Sequence, residues 1–497
     1  MKTNSHPHLP LHRIACVILA LLANIGLSSA SSARAAARQP NFVFVYTDDQ
    51  RWDAMGVVQR EQGERARFPW LQTPNMDRLA AEGVRFRNAF VTLSLCAPSR
   101  AAFLTGRYNH LNGVANNHTP FPEASVTHAT LLRAAGYATA YIGKWHHGGQ
   151  SGQRPGFDYS ASFVGQGRYR DCPFEINGKP TPTTGWVDDV STDYAIAFMQ
   201  QHREKPFSMV IGFKACHGPT DPPERAQNRF ADARARSVPN LNVPAIYRRE
   251  NQQPGPKAEP DGTTRINLNY FRCISAADDN LGRLLKTLDD LGLADDTVVV
   301  FASDNGYYNG EHRLGDKRSA YDESLRIPLL VRYPQLVSKG TTSDAIALNI
   351  DLAPTFLELA GVAAPREMQG RSWVPLLRGE KTDWRQSCLA EYFYEQNFLT
   401  TPTLVAVRTA NAKLIQYPGH EEWTELFDLA KDPYETNNLA NDATQKELLK
   451  QMKAEFDRQV QATEFRIPDY ADQPGSTNNA PASQKLRKAR QSASERD

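Results

Sequence analysis

The chain has 497 residues, of which 40% are hydrophobic and 23% are charged. These proportions are typical of a globular protein and exclude a largely disordered chain. The formal net charge is only +2, so the overall charge does not favour a nucleic acid as a partner. The length allows a large core and more than one structural unit.

The N-terminus has the order of features found in secretory signal peptides. Lys2 and Arg13 precede an apolar run over residues 14–27, and a stretch of small residues follows. The apolar run is short for a membrane span, which makes a membrane anchor the less favoured alternative. We therefore predict a signal peptide in residues 1–37, cleaved near 30–37, and a periplasmic or secreted protein without a stable membrane anchor.

Five compact apolar runs predict buried strands of the kind found in parallel sheets. They are residues 41–49, 138–145, 207–213, 297–305 and 327–334. Helical patterns lie between them. One begins at Thr73 as a cap, with Pro74 in its first turn and Gly83 as its stop. Another has an apolar stripe of helical period over residues 274–291. The alternation predicts an α/β fold with a large, mostly parallel sheet sandwiched by helices.

The later part of the chain has a different pattern. Residues 225–265 are rich in Pro, Asn, Arg and Gln, which predicts a long lid or substrate-side loop. Further along, short alternating runs predict a small antiparallel sheet, closed by a helix over residues 445–460. We therefore divide the chain into a main domain over residues 38–377, a C-terminal subdomain over residues 378–468 and a disordered tail over residues 469–497.

Acidic side chains follow two of the predicted strands. Asp48 and Asp49 follow the first, and Asp304 and Asn305 follow the fourth. Such residues can simply form turns, but ligands of α/β sheets bind at the carboxyl ends of the strands. Three carboxylates and one amide form an oxygen-rich set, which suits Ca²⁺ or Mg²⁺ better than zinc.

Cys96 stands where a helix is predicted to begin. Five cysteines remain once Cys16 of the predicted signal peptide is removed, and no CxxC pair occurs. Arg100 lies one turn after Cys96, and the N-terminus of a helix favours an anion. The pattern indicates either an anion pocket that contains a nucleophile or a small buried cysteine beside a surface salt bridge.

Several segments together resemble the type I sulfatases of the alkaline-phosphatase-like superfamily. Residues 96–106, CAPSRAAFLTG, match the signature in which C-x-P-S-R is followed by four residues and T-G. The segments YTDDQ, YIGKWHHG, FKACHGPTDPP, SDNGYYNGEHRLGDKR and ELFDLAKDPYETNNL occur in the same order as in that family. The resemblance covers residues 40–439 and implies an alkaline-phosphatase-like fold, with residues 38–377 as the sulfatase catalytic domain.

The resemblance implies a modified residue and a metal site. Cys96 would be converted to Cα-formylglycine (3-oxoalanine) by a formylglycine-generating enzyme. The hydrated aldehyde would attack sulfur with one oxygen and expel sulfate with the other, which divides one difficult step into two. Asp48, Asp49, Asp304 and Asn305, with the modified Cys96, would bind Ca²⁺, with Mg²⁺ as the alternative, and the cation would polarise the nucleophile.

The resemblance also assigns roles to five basic residues, which are Arg100, Lys144, His146, His217 and Lys317. The arginine would orient the nucleophile, the first lysine would bind sulfate, and the first histidine would assist turnover. The second histidine and second lysine would lie on the leaving-group side, where a proton must reach the departing alcohol. We also expect His312 at the rim of the substrate pocket.

The implied activity is hydrolysis of a sulfuric ester on a sulfated carbohydrate of the glycosaminoglycan, mucin or algal type. One alternative is a phosphate or phosphonate monoester hydrolase of the same superfamily. Such enzymes often carry His at the position of Asn305, or Thr or Ser as nucleophile, so Asn305 and Cys96 favour sulfate and calcium. A second alternative is an inactive glycan-binding relative. That reading requires a lost nucleophile or lost ligands, and every expected residue is present.

Overall fold

The computed structural model describes residue 1 and residues 39–248 and 257–472. The predicted signal peptide, apart from Met1, and residues 473–497 of the predicted tail lie outside the described residues. Backbone contacts group the chain into Met1–Gln39 and Pro40–Asp497. The division between residues 377 and 378 stays a prediction.

The main sheet accounts for ten of the twelve strands that precede the C-terminal region. The strands are β1 (Asn41–Thr47), β2 (Val84–Phe90), β3 (Ala138–Lys144), β4 (Tyr159–Phe163), β5 (Phe174–Ile176), β6 (Lys179–Thr181), β7 (Phe207–Gly212), β8 (Ala235–Arg236), β9 (Thr263–Thr264), β10 (Thr297–Ser303), β11 (Leu329–Arg332) and β12 (Thr341–Leu348). Strands β8 and β9 pair separately, and the other ten follow the order β12-β2-β11-β10-β1-β7-β3-β4-β5-β6.

The four central strands β10, β1, β7 and β3 are parallel to one another. They correspond to four of the five predicted apolar runs, and every residue of β1, β7 and β10 is buried. The fifth run forms β11, which is antiparallel to both of its neighbours. An antiparallel neighbour needs no long crossover helix, and the segment between β10 and β11 contains only the short 3-10 helix Glu311–Arg313 and the four-residue α-helix Asp322–Leu325.

Helices cover both faces of the sheet. They are α1 (Gly56–Gln62), α2 (Pro74–Glu82), α3 (Cys96–Thr105), α4 (Asn109–Asn112), α5 (His128–Ala134), α6 (Val187–Gln201), α7 (Leu268–Asp290), α8 (Asp322–Leu325), α9 (Leu352–Leu359), α10 (Val374–Leu377) and α11 (Lys446–Ala462). Successive side chains of a strand point to opposite faces. Accordingly, Phe42 and Phe44 of β1 pack in a cluster with residues of α3 and α9, and Val43 and Val45 pack with residues of α2, α6 and α7. The predicted fold class is confirmed.

Helix α2 has the predicted bounds but a different N-terminal cap. Thr73 accepts no capping bond from a backbone N–H of its own helix, and its hydroxyl instead accepts from the Gly56 backbone N–H at 2.8 Å. The first N–H groups of α2 donate to the carboxylate of Asp278 on α7, from Asn75 at 3.0 Å and from Met76 at 2.7 Å. A carboxylate at this position also suits the positive end of the helix.

The predicted antiparallel sheet is present in the C-terminal region. It is formed by β13 (Ser387–Tyr392), β14 (Leu404–Thr409), β15 (Ala412–Gln416) and β16 (Glu425–Asp428), paired in that order. Met452 of α11 packs on this sheet against Leu414 and Leu426. The predicted lid over residues 225–265 contains short turns and the β8–β9 pair, and part of it lies outside the described residues. Among the helices described, none is long and apolar enough to cross a membrane.

Candidate active site

The candidate residues meet at one edge of the main sheet. Asp48 and Asp49 directly follow β1, and Asp304 directly follows β10. Lys144 is the last residue of β3. Because β10, β1, β7 and β3 are parallel neighbours, their carboxyl ends lie side by side, which is where ligands bind in such sheets.

Three carboxylates form the centre of this cluster. Asp48, Asp49 and Asp304 are buried, and each offers an oxygen within 4.8 Å of the others. Asn305 donates from Nδ2 to Asp49 Oδ1 at 2.7 Å, while its buried Oδ1 has no hydrogen-bond partner among the described residues. A buried acceptor without a partner costs about 1–3 kcal/mol. The oxygen-only donor set and this unsatisfied amide oxygen fit a hard cation such as Ca²⁺.

The carboxylates respond differently to burial. Burial and the neighbouring Asp48 charge raise the pKa of Asp304 to about 7. Burial opposes ionisation of Asp48 too, but the charges of Lys144 and Arg100 hold the pKa of Asp48 well below its usual range. A bound cation favours the ionised form of each carboxylate.

Cys96 lies against these carboxylates at the first residue of α3. Its Sγ is 3.4 Å from Asp48 Oδ1, and the side chain is fully buried. Burial and the Asp48 charge raise the pKa of the thiol to about 12. Helix α3 ends at Gly106, which adopts a left-handed conformation with φ of 66°. The five cysteines within the described residues are free and buried.

Arg100 connects the helix to two strand ends. Its Nε and Nη2 donate to Asp304 Oδ2 at 3.0 and 2.7 Å. Its Nη1 donates to the backbone oxygen of Lys144 at 2.5 Å, and the guanidinium lies over the Tyr46 ring at 4.9 Å. Burial alone would lower the pKa of Arg100, but Tyr46 and Asp304 raise it well above its usual value. Arg100 therefore stays charged and orients Asp304.

Two lysines bind the other two carboxylates. Lys144 Nζ forms an ion pair with Asp48 Oδ2 and donates to Gln166 Oε1 at 2.5 Å. Lys317 Nζ donates to both oxygens of Asp49, at 2.6 and 2.9 Å. Burial opposes the charge of Lys317, but Asp49 raises its pKa well above the usual value. Both ammonium groups are thus held beside the carboxylates that flank Cys96.

The two histidines of the cluster are neutral. Burial and the charge of Lys144 hold the pKa of His146 and of His217 well below the usual value. His217 Nε2 lies 3.8 Å from Asp49 Oδ2. His146 lines a neighbouring cavity, and its Nδ1 has no hydrogen-bond partner in the described part of the chain.

His312 is not brought to this cluster. Only 1% of its surface is exposed, and its ring stacks on Tyr321 with centroids 3.7 Å apart. Its Nε2 lies 3.2 Å from Asn240 Nδ2. The structure therefore gives His312 a packing contact, in contrast to the expected place at a pocket rim.

A cavity of about 400 Å³ adjoins the cluster and contains residues that the sequence did not single out. Its lining includes His146, Gln166, Arg318, Glu395, Asn397 and Phe398. Arg318 Nε donates to Glu395 Oε2 at 2.5 Å, and its guanidinium lies 4.2 Å from the Phe398 ring centre. Glu395 Oε1 is buried without a partner among the described residues. His146 was already a candidate, and of the other residues named here only Arg318, which adjoins Lys317, could have been found from a motif.

The comparisons with known proteins identify the family. The model of the sulfatase family matches residues 40–362, and a model described as N-sulphoglucosamine sulphohydrolase, C-terminal, matches residues 310–462. The chain belongs to the sulfatase family. The predicted family, fold class and enzyme class of this sulfatase are therefore confirmed.

The relatives of this sulfatase include enzymes named for a particular sugar. An N-acetylglucosamine-6-O-sulfatase of Bacteroides thetaiotaomicron is 33% identical, over 87% of this chain and 89% of the relative. The N-acetylglucosamine-6-sulfatase of Homo sapiens is 27% identical, over 88% of this chain and 87% of the relative. A solved structure described as a complex with its substrate D-glucosamine-2-N,6-O-disulfate has a TM-score of 0.77 and 31% identity, covering 87% of this chain and 99% of the other.

Proposed function

We propose that this sulfatase removes the 6-O-sulfate from a glucosamine or N-acetylglucosamine unit of a glycosaminoglycan-type glycan. The observation that carries the proposal is the buried cluster of Cys96, three carboxylates and three cations at the sheet edge. The relatives support the sugar, because both named enzymes and the substrate complex concern 6-sulfated glucosamine derivatives.

The residues present fit a divalent cation and a modified cysteine. Asp48, Asp49, Asp304 and Asn305 would hold Ca²⁺, or Mg²⁺ in its place, and a bound cation supplies a Lewis acid for a sulfate oxygen and for the nucleophile. Formylglycine at position 96 would supply a hydrated aldehyde: one of its oxygens would displace the sugar oxygen from sulfur, and loss of the proton from the other would expel sulfate as the aldehyde re-forms.

The protein's own side chains stabilise the charge on the sulfuryl group. Lys144 and Lys317 place ammonium groups against Asp48 and Asp49 respectively. Because both are buried, they can donate hydrogen bonds to sulfate oxygens without reorganisation, which is the most effective form of electrostatic stabilisation. The Lys317 ammonium and His217 both lie against Asp49, and we assign this side to the departing sugar oxygen, which must gain a proton.

The adjoining cavity has the chemistry of a sugar site. The free oxygen of Glu395 can accept a hydrogen bond from a sugar hydroxyl, and Arg318 fixes this carboxylate from the other side. Phe398 offers an apolar face, and the volume of about 400 Å³ suits one sugar ring with its substituents.

We further propose that the protein is exported by the N-terminal signal and matures through a formylglycine-generating enzyme. Intact-peptide mass spectrometry of the segment with Cys96 then shows a loss of about 18 Da relative to the thiol. An unmodified thiol in fully active protein contradicts this step.

The substrate is tested with protein produced together with the modifying enzyme. We expect sulfate release from 6-sulfated N-acetylglucosamine and from glucosamine-2-N,6-O-disulfate, and none from Cys96→Ala, the matched control. Release from 4-sulfated galactosamine alone would contradict the proposed sugar while leaving the sulfatase activity intact. Aryl sulfate and aryl phosphate assayed in parallel separate a sulfatase from a phosphate monoester hydrolase.

A further inference from the structure

A second cavity, of about 300 Å³, lies between the main sheet's loops and the small C-terminal sheet. None of the catalytic candidates lines it. Its lining contains the arginines Arg51, Arg65, Arg67, Arg236, Arg326 and Arg408. Only four carboxylates face them, which belong to Asp53, Glu311, Asp322 and Glu323. In the lining of this cavity, six guanidinium groups therefore face four carboxylates.

Two of these arginines already occupy three of the carboxylates. Arg51 donates to Asp53 Oδ2 at 3.0 Å and to Glu311 Oε1 at 2.6 Å. Arg408 donates from Nε and Nη2 to the two oxygens of Asp322, at 3.0 and 2.9 Å. These pairs are complete and leave no carboxylate free among the three.

Arg326 and Arg236 have no ion pair within the described residues. The Arg326 guanidinium donates to the backbone oxygen of Arg87 and stacks on Trp52, with Cζ 3.8 Å from the ring centre. The Arg236 guanidinium donates to backbone oxygens and to the Tyr434 hydroxyl at 2.9 Å. In the described part of the chain, neither guanidinium has a carboxylate within ion-pair distance.

Arg67 is a deeply buried arginine that has no carboxylate to itself. It is 3% exposed, and it must share Glu311 with Arg51. Its Nε has no hydrogen-bond partner among the described residues. Burial and the Arg51 charge lower the pKa of Arg67 to about 9. The fourth carboxylate of the lining belongs to Glu323. It offsets little of the positive charge, because burial and the Glu435 charge raise the pKa of Glu323 to about 7.

We propose that this cavity is a second oxyanion site, which binds a sulfate group. A buried charge without a partner is costly, and the planar fork of arginine matches the oxygens of a tetrahedral anion. The mouth of the cavity is open at Arg65, Ala410 and Pro433, which are exposed. The sulfate group can come from inorganic sulfate, the product of the reaction, or from a neighbouring sulfated unit of the glycan.

The site also gives a role to a segment that catalysis does not use. The C-terminal motif ELFDLAKDPYETNNL contributes Leu429, Pro433 and Tyr434 to the cavity wall. Tyr434 holds Arg236 by a hydrogen bond. The motif thus positions one wall of the proposed site.

Calorimetric titration with sodium sulfate tests the proposal, with sodium chloride at equal ionic strength as the reference salt. The titration uses the full chain with Cys96→Ala, alone and combined with Arg236→Gln or Arg326→Gln. We expect each added substitution to weaken one binding event at least about tenfold, because a charge-assisted hydrogen bond is lost. Arg133→Gln, on the exposed face of α5, is the matched control and leaves the titration unchanged.

Crystals soaked in selenate locate the anion independently of any variant. Anomalous density within hydrogen-bond distance of Arg326 or Arg236 supports the site, even if one variant fails to fold. Density confined to the cluster around Lys144 and Lys317, with equal sulfate affinity in all folded variants, overturns it. A parallel titration with glucosamine 6-sulfate identifies the source, because the tighter of the two ligands is the one that the site is built to bind.

Discussion

Replacing Arg100 by lysine keeps the positive charge but removes the planar guanidinium group, which donates hydrogen bonds in several directions at once. Arg100 makes three hydrogen bonds, two to Asp304 Oδ2 and one to the backbone oxygen of Lys144. One ammonium at this distance can satisfy only one of these two acceptor groups. Two of the three hydrogen bonds to these buried oxygens are therefore lost, and each hydrogen bond from a charged group contributes about 1.5 kcal/mol or more. We therefore expect the free energy of unfolding of Arg100→Lys to fall by about 3 kcal/mol.

Activity should fall further than stability suggests. Asp304 belongs to the proposed cation site, and a shift of this carboxylate displaces the groups around Cys96, so kcat/KM on an aryl sulfate should drop about 100-fold or more. Urea denaturation with and without Ca²⁺, together with initial rates, gives both quantities. Arg133→Lys, at an exposed position, is the control for the effect of replacing an arginine by a lysine. A loss below about 0.5 kcal/mol with kcat/KM within threefold of the wild type would refute the reasoning.

Three further predictions concern the cation, the sugar pocket and pH. Chelation with verified ion removal should abolish activity and lower the melting temperature, and Asn305→Ala should weaken calcium affinity because the unsatisfied Oδ1 is lost; an unchanged calcium titration contradicts the ligand assignment. Glu395→Gln should raise KM for the 6-sulfated sugar about tenfold and leave hydrolysis of a small aryl sulfate nearly unchanged; equal losses on both substrates contradict a sugar contact. Burial would lower the pKa of His110, but the Glu391 carboxylate at 2.6 Å raises it above the ordinary value of 6.5. This pair therefore stabilises the fold fully below pH 6.5 and loses that contribution as pH rises through the folded-state pKa. The advantage of the wild type over Glu391→Gln in urea should shrink over that range, and a constant difference contradicts the assignment.

The fold could be predicted because its central strands are buried on both faces. Such strands form continuous apolar runs, as residues 297–303 show, and the runs are visible without any long-range information. The direction of β11 could not be predicted, since an apolar run is the same for a parallel and an antiparallel strand. The cap of α2 was missed for a related reason: Asp278, which accepts from its N–H groups, is distant in sequence and is joined to it only by tertiary packing.

The clustering of the candidate residues could be predicted because they lie in short motifs at strand and helix ends. Cys96 and Arg100 are one helical turn apart, and Asp48 follows a strand directly, so local structure places them near the sheet edge. The adjoining cavity depends on Gln166 and Glu395, which come from loops without a recognisable pattern. For His312 the sequence instead suggested a pocket residue where the structure shows a buried one. It adjoins a motif, but packing against Tyr321 turns it into the core.

The charge balance of the cluster gives a physical reason to expect the proposed cation and a sulfate group to bind there together. Asp48, Asp49 and Asp304 contribute three negative charges, and Arg100, Lys144 and Lys317 contribute three positive charges. The paired groups are therefore close to neutral, which is the condition under which such a set can be buried. A divalent cation held by the carboxylates brings the net charge to about +2. The two ammonium groups are then less strongly held by their carboxylates and are free to donate to an anion. The site therefore attracts a sulfate ester only once the cation is bound, so calcium should raise substrate affinity as well as the rate of the chemical step.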